Sequence, residues 1–288
     1  MFKTKTVYNI SQKNWEKGDA MGKTMIMRAA ASLLVTIGAC WAGACAGGAA
    51  SRQPDETDAN CVEAILTQLQ KKTRNIKSYQ GQVYYEYRQP LLESKSVRKG
   101  VLYYAKLGKT SKLRVNFETI KQDDEEEREY KEHFIFDGVW LTQIDYQIKA
   151  VKLYQMTEVN QPADAFELAS KNLPIIGFSK IEDLKNHFEI KLIEPKEDEE
   201  KNLLHLHLKT KPASSYSDRY SSIDFWIDKK LSLPAKVVAV TPQPEEDIYE
   251  IKLLKPKVNK EIDEKVFDVK IPPGFGEPEI IPLKKKEK

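Results

Sequence analysis

The residue types that most often carry chemistry are few in this sequence. His205 and His207 alternate within 202-NLLHLHLKT-210, so on a strand their side chains share one face and could supply half of a metal site. The sequence offers no evident third ligand beside them. Glu182 and Asp183 are neighbours in the chain, and neighbouring carboxylates on a helix do not face one substrate as an acid–base pair. Without a nucleophile–base pattern or a phosphate-binding loop, we expect no catalytic activity, no cofactor and no metal.

The three cysteines, Cys40, Cys45 and Cys61, are too few for a disulfide framework. Cys61 lies beside an apolar helical stripe and has no recognisable activating histidine. This setting favours a half-buried structural side chain over a catalytic thiol.

The N-terminal region has the residue order of a secretory signal. The apolar run 29-AAASLLVTIGA-39 follows a basic flank, and small residues continue through 42-AGACAGGAA-50. The apolar run is shorter than the roughly 20 residues that span a membrane. Residues 1–20 are polar, so we expect the true start at Met21 or Met25; a cytoplasmic extension is the alternative.

A second processing signal overlaps the first. The sequence 37-IGAC-40 has the form of a bacterial lipobox, in which the cysteine, here Cys40, is acylated and becomes the mature N-terminus. Residues 41–58 would then form a flexible tether. Cleavage by the ordinary signal peptidase near Ala46 or Ala50 is the alternative.

Composition and charge restrict the class of protein. Lys and Arg number 46 against 43 Asp and Glu, a net charge of +3, which is too small and too evenly spread to indicate nucleic-acid binding. Hydrophobic residues at 41% and aromatic residues at 9% are typical of a folded domain. We divide the chain into an extension with signal peptide (1–50), a linker (51–57), one domain (58–282) and a basic tail (283–288).

The periodicity of the domain changes along the chain. Val62, Ile65, Leu66 and Leu69 form one helical stripe, with Thr57 or Asp58 as the expected N-cap. Period-two alternation then predicts antiparallel strands in two blocks, with short helices between them at 160–172 and 173–188. The predicted strands cover 82–88, 100–106, 112–118, three strands within 134–154, 187–194, 202–210, 220–228, 235–241, 247–254 and 266–272, and the charged segment 121–132 begins as an exposed loop.

Several motifs follow one another in a recognisable order. They are 75-NIKSYQGQVYYEY-87, Gly100 with 102-LYY-104, 113-LRVNF-117, 136-FDGVWLTQID-145, 223-IDFWIDKKLSLPAKV-237 and 258-VNKEIDEKVFDVKIPPGF-275. Their order and spacing, from about Ala59 to Ile281, resemble the LolA/LolB superfamily, the lipoprotein and lipid carriers of the bacterial envelope. The chain is longer than the basic carrier, so it resembles a divergent member.

The resemblance implies an α+β fold that is mostly antiparallel. A strongly curved sheet forms an unclosed β-barrel, with an N-terminal helix and a helical lid on the concave side. An ordinary filled core is the alternative reading of the same apolar faces. The expected cavity and lid residues are Val83, Tyr85, Tyr87, Leu113, Val115, Phe134, Phe136, Trp140, Val151, Leu153, Ile175, Ile176, Phe178, Ile181, Leu184, Leu204, Leu206, Ile223, Phe225 and Ile227.

One motif of the family is altered. An arginine commonly follows the second strand and holds the lid closed, whereas this sequence has Lys106 and Lys109 there. Lys106 is therefore the lid-closing candidate, although lysine offers fewer and less planar donors than arginine.

The function that the resemblance implies is a monomeric periplasmic carrier of acylated lipoproteins or lipids. It would take its cargo from an inner-membrane donor complex and deliver it to an outer-membrane acceptor, without binding nucleic acid. A membrane-anchored acceptor held by Cys40 is one alternative. A sensor that uses the same fold to bind a signalling protein is another.

Overall fold

The computed structural model describes residues 56–165, 168, 180–194 and 202–283. Two helices, α1 (Glu56–Thr73) and α2 (Ile181–His187), and two short 3-10 helices, Pro90–Leu92 and Glu264–Phe267, occur in these ranges. The strands of the described residues are β1 Ser78–Gln89, β2 Ser94–Leu107, β3 Thr110–Gln122, β4 Arg128–Phe136, β5 Trp140–Asp145, β6 Ala150–Gln155, β7 Phe188–Ile193, β8 Leu203–Thr210, β9 Ser222–Asp228, β10 Leu233–Val240, β11 Ile248–Val258 and β12 Glu279–Ile281.

All twelve strands belong to one sheet, in the order β12-β6-β5-β4-β3-β2-β1-β11-β10-β9-β8-β7. Every neighbouring pair is antiparallel except β12 and β6, which are parallel. Tyr154 on β6 and Phe188 on β7 lie near opposite edges of the sheet, yet both side chains belong to one continuous apolar core. The sheet therefore curves around that core and stays unclosed, which confirms the predicted fold class.

Helix α1 packs its predicted apolar stripe into the concavity. Val62, Leu66 and Leu69 are buried and Ile65 is half-buried, because residues three and four apart lie on one face of a helix. The predicted N-cap at Thr57 or Asp58 is wrong, since the helix begins at Glu56.

The stretch 134–154 forms the predicted meander of three strands. Across the turn that follows β4, Phe136 pairs with Leu141, and across the next turn Leu141 pairs with Tyr154. These three side chains all lie in the core on the concave face. Alternation then places the residues between them on the convex face.

The predicted inward direction of Trp140, Val151 and Leu153 is therefore wrong. Val151 and Leu153 pack with Ile135 in a second, smaller core on the convex face. Trp140 is half-buried and precedes the inward Leu141 on β5, so it too points to the convex side.

The predicted strand at 266–272 is also wrong. The chain there forms the 3-10 helix Glu264–Phe267, capped by Asp263, whose carboxylate accepts a hydrogen bond from the Lys265 amide at 3.0 Å. The chain then crosses the convex face without regular structure to reach β12. Phe275 from this segment packs against the second core, so the segment covers the apolar residues of β4 to β6 that point outward.

Candidate functional site

The concave face of the sheet is apolar across its width. At least one inward side chain from every strand between β6 and β7 in the sheet order belongs to the core. The buried members that the sequence analysis did not name include Tyr79, Leu102, Tyr104, Leu141, Tyr154, Phe188, Leu208, Tyr220, Leu233, Val237, Ala239, Tyr249, Ile251 and Leu253. This face is the candidate site, because it is the largest apolar surface that the described chain gathers in one place.

Most predicted cavity residues lie on this face. The structure places in one core Val83, Tyr85, Tyr87, Leu113, Val115, Phe134, Phe136, Leu184, Leu206, Ile223, Phe225 and Ile227, with Ile181 and Leu204 half-buried against it. Ile175, Ile176 and Phe178 of the predicted lid, and Cys40 of the predicted lipobox, lie outside the described residues.

The chain that leads toward the predicted lid is tied to β2 and β3. The Tyr104 hydroxyl donates to the Asp164 carboxylate at 2.8 Å, and the Ala165 amide donates to the Ser111 hydroxyl at 2.7 Å. Asp164 and Ser111 are both buried. The Ala163 amide donates to the Gly138 carbonyl at 2.9 Å, which ties the same segment to the turn between β4 and β5.

The candidate for closing the lid, Lys106, has an exposed side chain, and its backbone amide donates to the Lys77 carbonyl at 2.7 Å. The lid role of Lys106 stays a prediction. The hydrogen bonds of Tyr104 and Ser111 were not expected from the sequence. A tyrosine and a serine on otherwise apolar strand faces are the only sequence signal for them.

One end of the concave face carries a polar row. Arg98 Nη1 donates to Glu132 Oε2 at 2.5 Å, Gln143 Nε2 donates to Glu132 Oε1 at 2.8 Å, and the Tyr154 hydroxyl donates to Gln143 Oε1 at 3.0 Å. The Arg98 guanidinium lies over the rings of Tyr130 and Phe117, at 5.1 and 6.0 Å from their centroids.

The polar row is largely withdrawn from solvent. The side chains of Arg98 and Glu132 are 17% and 6% exposed. Burial raises the pKa of the Glu132 carboxyl above its usual range, although Arg98 and the hydrogen bond from Gln143 act in the opposite direction. Burial also raises the pKa of the Tyr130 hydroxyl to about 12.

The histidine pair lies on the opposite, convex face. His205 Nε2 and His207 Nδ1 both lie within hydrogen-bond distance of Asp224 Oδ1, at 2.7 and 2.8 Å. The His205 ring stacks on Trp226 with 4.2 Å between the ring centroids, and Lys236 Nζ also lies 4.2 Å from the Trp226 centroid. Asp224 therefore joins both imidazoles, which makes the pair part of a cross-strand polar network.

The described ranges lack two features that would indicate other functions. No group of three or more His, Cys, Asp and Glu side chains there is arranged to hold a metal ion. Among the same residues, no helix has both the length and the apolar character that crossing a membrane requires.

No protein-family profile matches the sequence, and no curated protein is similar to it. Among solved structures, the chain is similar to several at low sequence identity. A LolA superfamily protein from Nitrosomonas europaea has a TM-score of 0.35 and 10% identity, covering 72% of this chain and 97% of that one. A putative outer membrane lipoprotein-sorting protein domain from Vibrio parahaemolyticus has a TM-score of 0.33 and 13% identity, with 74% and 97% covered.

A third similar structure is an uncharacterized conserved protein from Thermus thermophilus. Its TM-score is 0.43 and its identity 12%, covering 77% of this chain and 99% of that one.

Proposed function

We propose that the protein binds the acyl chains of lipoproteins or lipids on the concave face of its sheet and carries them between membranes of the bacterial envelope. The observation that carries this proposal is the continuous apolar core on the concave face, which extends from one edge of the unclosed sheet to the other. We infer that the activity is the binding and transfer of this acylated cargo. The motifs that resemble the LolA/LolB superfamily support lipoproteins or lipids as the cargo.

The chemistry of the concave face suits an acyl chain. Such a chain has no directional contacts to satisfy, so its binding free energy comes from apolar surface removed from water. Each buried methylene contributes about 0.8 kcal/mol, and a chain of common length contributes on the order of 10 kcal/mol. Extraction from a membrane requires a destination of comparable apolarity, which aliphatic and aromatic side chains supply here.

The unclosed sheet gives a route for loading. Strands β12 and β7 are the edges of the sheet and do not pair with each other. Helix α1 covers the concavity through apolar side chains such as Leu66 and Leu69. If helix α1 moves away, the concave face loses its apolar contacts with the helix and gains apolar contacts with the ligand. This movement breaks none of the hydrogen bonds between strands.

The sequence 37-IGAC-40 favours a second candidate function. If Cys40 is acylated, the protein is a membrane-anchored acceptor that receives acylated cargo in the same concavity. The carrier and the acceptor share the binding face and differ only in where the protein resides, in the periplasm or held on a membrane.

A photo-crosslinking experiment tests the binding face. A photoreactive side chain is placed at Leu204, which is half-buried against the concave core, or at Leu153, which is half-buried on the convex face. Irradiation in the presence of an alkyne-labelled palmitate should attach the ligand at position 204 and leave position 153 unlabelled. Equal labelling at both positions, or labelling at 153 alone, would reject the concave face as the site.

A further inference from the structure

The polar row at one end of the concave face is poorly explained by stability. Glu132 lies directly opposite Phe117 and shares its strand face with Phe134 and Phe136, so an apolar side chain would fit that pattern. A buried ion pair loses hydration of both charges, and apolar replacements of such pairs are often neutral or stabilising. The raised pKa of Glu132 agrees with this cost.

One buried donor of the pair lacks an acceptor among the described residues. Both carboxylate oxygens of Glu132 are occupied, one by Arg98 Nη1 and one by Gln143 Nε2. Arg98 Nε is buried and has no hydrogen-bond partner among the described residues. A buried donor without an acceptor costs free energy, so an oxygen atom of a ligand would gain by accepting from this nitrogen.

We propose that Arg98 binds the head of an acyl ligand through a carboxylate or carbonyl oxygen. This inference rests on the proposed function, because it orients the acyl chain that the concave face would hold. The partly exposed guanidinium would hold the oxygen-bearing head near the rim. The acyl tail would run inward past Phe117, whose ring Arg98 overlies, and Tyr85, which lies 6.2 Å from Phe117 between ring centroids.

Glu132 and Gln143 position the guanidinium in this arrangement. Glu132 holds Nη1, and Gln143 is in turn held by the Tyr154 hydroxyl, so the direction of Nε is fixed by the row. Because Glu132 balances the charge of Arg98, a neutral ester or amide carbonyl meets the same donor as a carboxylate. The ligand class is therefore an acyl chain with an oxygen acceptor at its head.

Displacement of the apolar fluorophore 1-aminoanthracene from the full protein tests this proposal. The competitors are dodecanoate, methyl dodecanoate and dodecyltrimethylammonium, which share an alkyl chain and carry an anionic acceptor, a neutral acceptor and a cation. The two acceptor heads should displace the probe at concentrations at least about tenfold lower than the cation. If dodecanoate displaces the probe at a much lower concentration than methyl dodecanoate, a free carboxylate is the preferred head. If the two compounds are equally potent, a carbonyl oxygen is sufficient.

The double variant Arg98→Met/Glu132→Gln removes both charges without leaving one unpaired, and should abolish the preference among heads. Its control is Arg88→Met/Glu86→Gln. Arg88 Nε lies 2.9 Å from Glu86 Oε1, and this pair is on the convex face of the neighbouring strand β1. The control variant should still bind the two acceptor heads more tightly than the cationic head. If the first double variant does not fold, Arg98→Lys serves instead, since it keeps the positive charge and removes Nε.

Three outcomes separate this proposal from the proposed function. If the Arg98 variant loses the preference for oxygen-acceptor heads and the Arg88 control keeps it, the result supports Arg98 as the site that binds the head (the head site). Displacement by all three competitors with equal potency, or a preference that survives the Arg98 variant, overturns the head site and leaves acyl binding standing. Failure of every competitor to bind wild-type protein overturns the proposed function, and the head site with it.

Discussion

Gly100 lies where the backbones of β2 and β3 approach each other closely. A Cβ atom at this position would lie 1.8 Å from the carbonyl oxygen of Asn116. The approach coincides with a bulge between β2 and β3, where Lys99 pairs with Thr119 and Gly100 pairs with Phe117, so that Glu118 is the extra residue. Only a residue without Cβ fits this approach.

Replacement of Gly100 by alanine should therefore lower the free energy of unfolding by at least about 3 kcal/mol, since the clash is with backbone. Urea unfolding followed by circular dichroism measures the change. Gly276→Ala is the matched control, because a Cβ there has open space and the backbone is not left-handed; its effect should stay within about 0.5 kcal/mol. Equal effects of the two variants would contradict the close approach.

His133 is a buried imidazole on the convex face beside a cation. Its Nδ1 lies 3.2 Å from Arg114 Nη2 and 3.3 Å from the Tyr146 hydroxyl, and its Nε2 lies 3.4 Å from Glu118 Oε1. Burial first, and then Arg114, lowers the pKa of His133 below its usual 6.5, while Glu118 acts in the opposite direction. The folded protein therefore favours the neutral imidazole.

The sign of the pH dependence follows from this lowered pKa. Below about pH 6.5 the unfolded chain binds a proton at position 133 that the folded chain resists, so stability is lost as the pH falls. Wild-type protein should lose up to about 1 kcal/mol through this residue between about pH 7.5 and about pH 5.5.

His133→Gln tests the assignment. The variant should lose less stability than wild type over the same pH interval in urea unfolding. His187→Gln, which alters the last residue of α2, is the control and should lose as much as wild type. An unchanged pH dependence in His133→Gln would contradict the lowered pKa.

The charged segment 121–132 shows what residue types alone could predict. Its acidic start is an exposed loop between β3 and β4, as expected. Its end is strand β4, where Tyr130 and Glu132 share the inward face with Phe134. The alternation was visible in 128-REYKEHFIF-136, yet nothing in the sequence showed that Arg98, about thirty residues earlier, would meet Glu132 across two strands.

At the scale of elements, Arg114 joins the C-terminal segment to the convex face of the sheet. Its Nη1 donates to the carbonyls of Val266 and Asp268 at 2.8 and 3.1 Å, and its Nε donates to Asn116 Oδ1 at 2.7 Å. The planar guanidinium reaches these acceptors together, which a lysine ammonium does not do with the same geometry.

Arg114→Lys should therefore release the segment from Glu264 to Phe275 without unfolding the sheet. Amide hydrogen exchange in that segment should accelerate by at least about tenfold, because charge-assisted hydrogen bonds are lost. Exchange in β1 and β11 should not change. Arg128→Lys is the control, since the Arg128 side chain is exposed and bonds Gln122 within the same hairpin; uniform acceleration across the sheet would contradict the assigned role.

Which face the side chains of β5 and β6 point to could not be predicted, because it depends on the turns that precede these strands. Phe136 on β4 pairs with Leu141 on β5. The residues that point inward therefore have even numbers on β4 and odd numbers on β5. A slip of one residue exchanges the two faces of a strand, and Val151 and Leu153 are as apolar as an inward pair. Their outward position is stabilised by Phe275, which follows the segment that the sequence predicted as a strand.

At the scale of the whole molecule, alternation and helical periodicity predicted the antiparallel strands and the amphipathic helix, and the curved, unclosed sheet was predicted from the resemblance of the motifs. Each strand buried on one face carries its own signal, and elements with one apolar face must pack together to bury it. The strand order could not be derived from the same signals. Strand β1 pairs with β11, and β6 pairs with β12. These strands are far apart in the chain, so the local sequence does not indicate that they pair.

Native mass spectrometry tests the central claim most directly. The protein is purified without detergent from the cells that produce it naturally and measured before and after lipid extraction. We predict a stoichiometric acylated species that lipid extraction removes, and its mass will distinguish a lipoprotein from a free lipid. A protein that is empty before extraction, and that takes up no palmitate when this is added, would contradict the account and show that the concave face is a filled core.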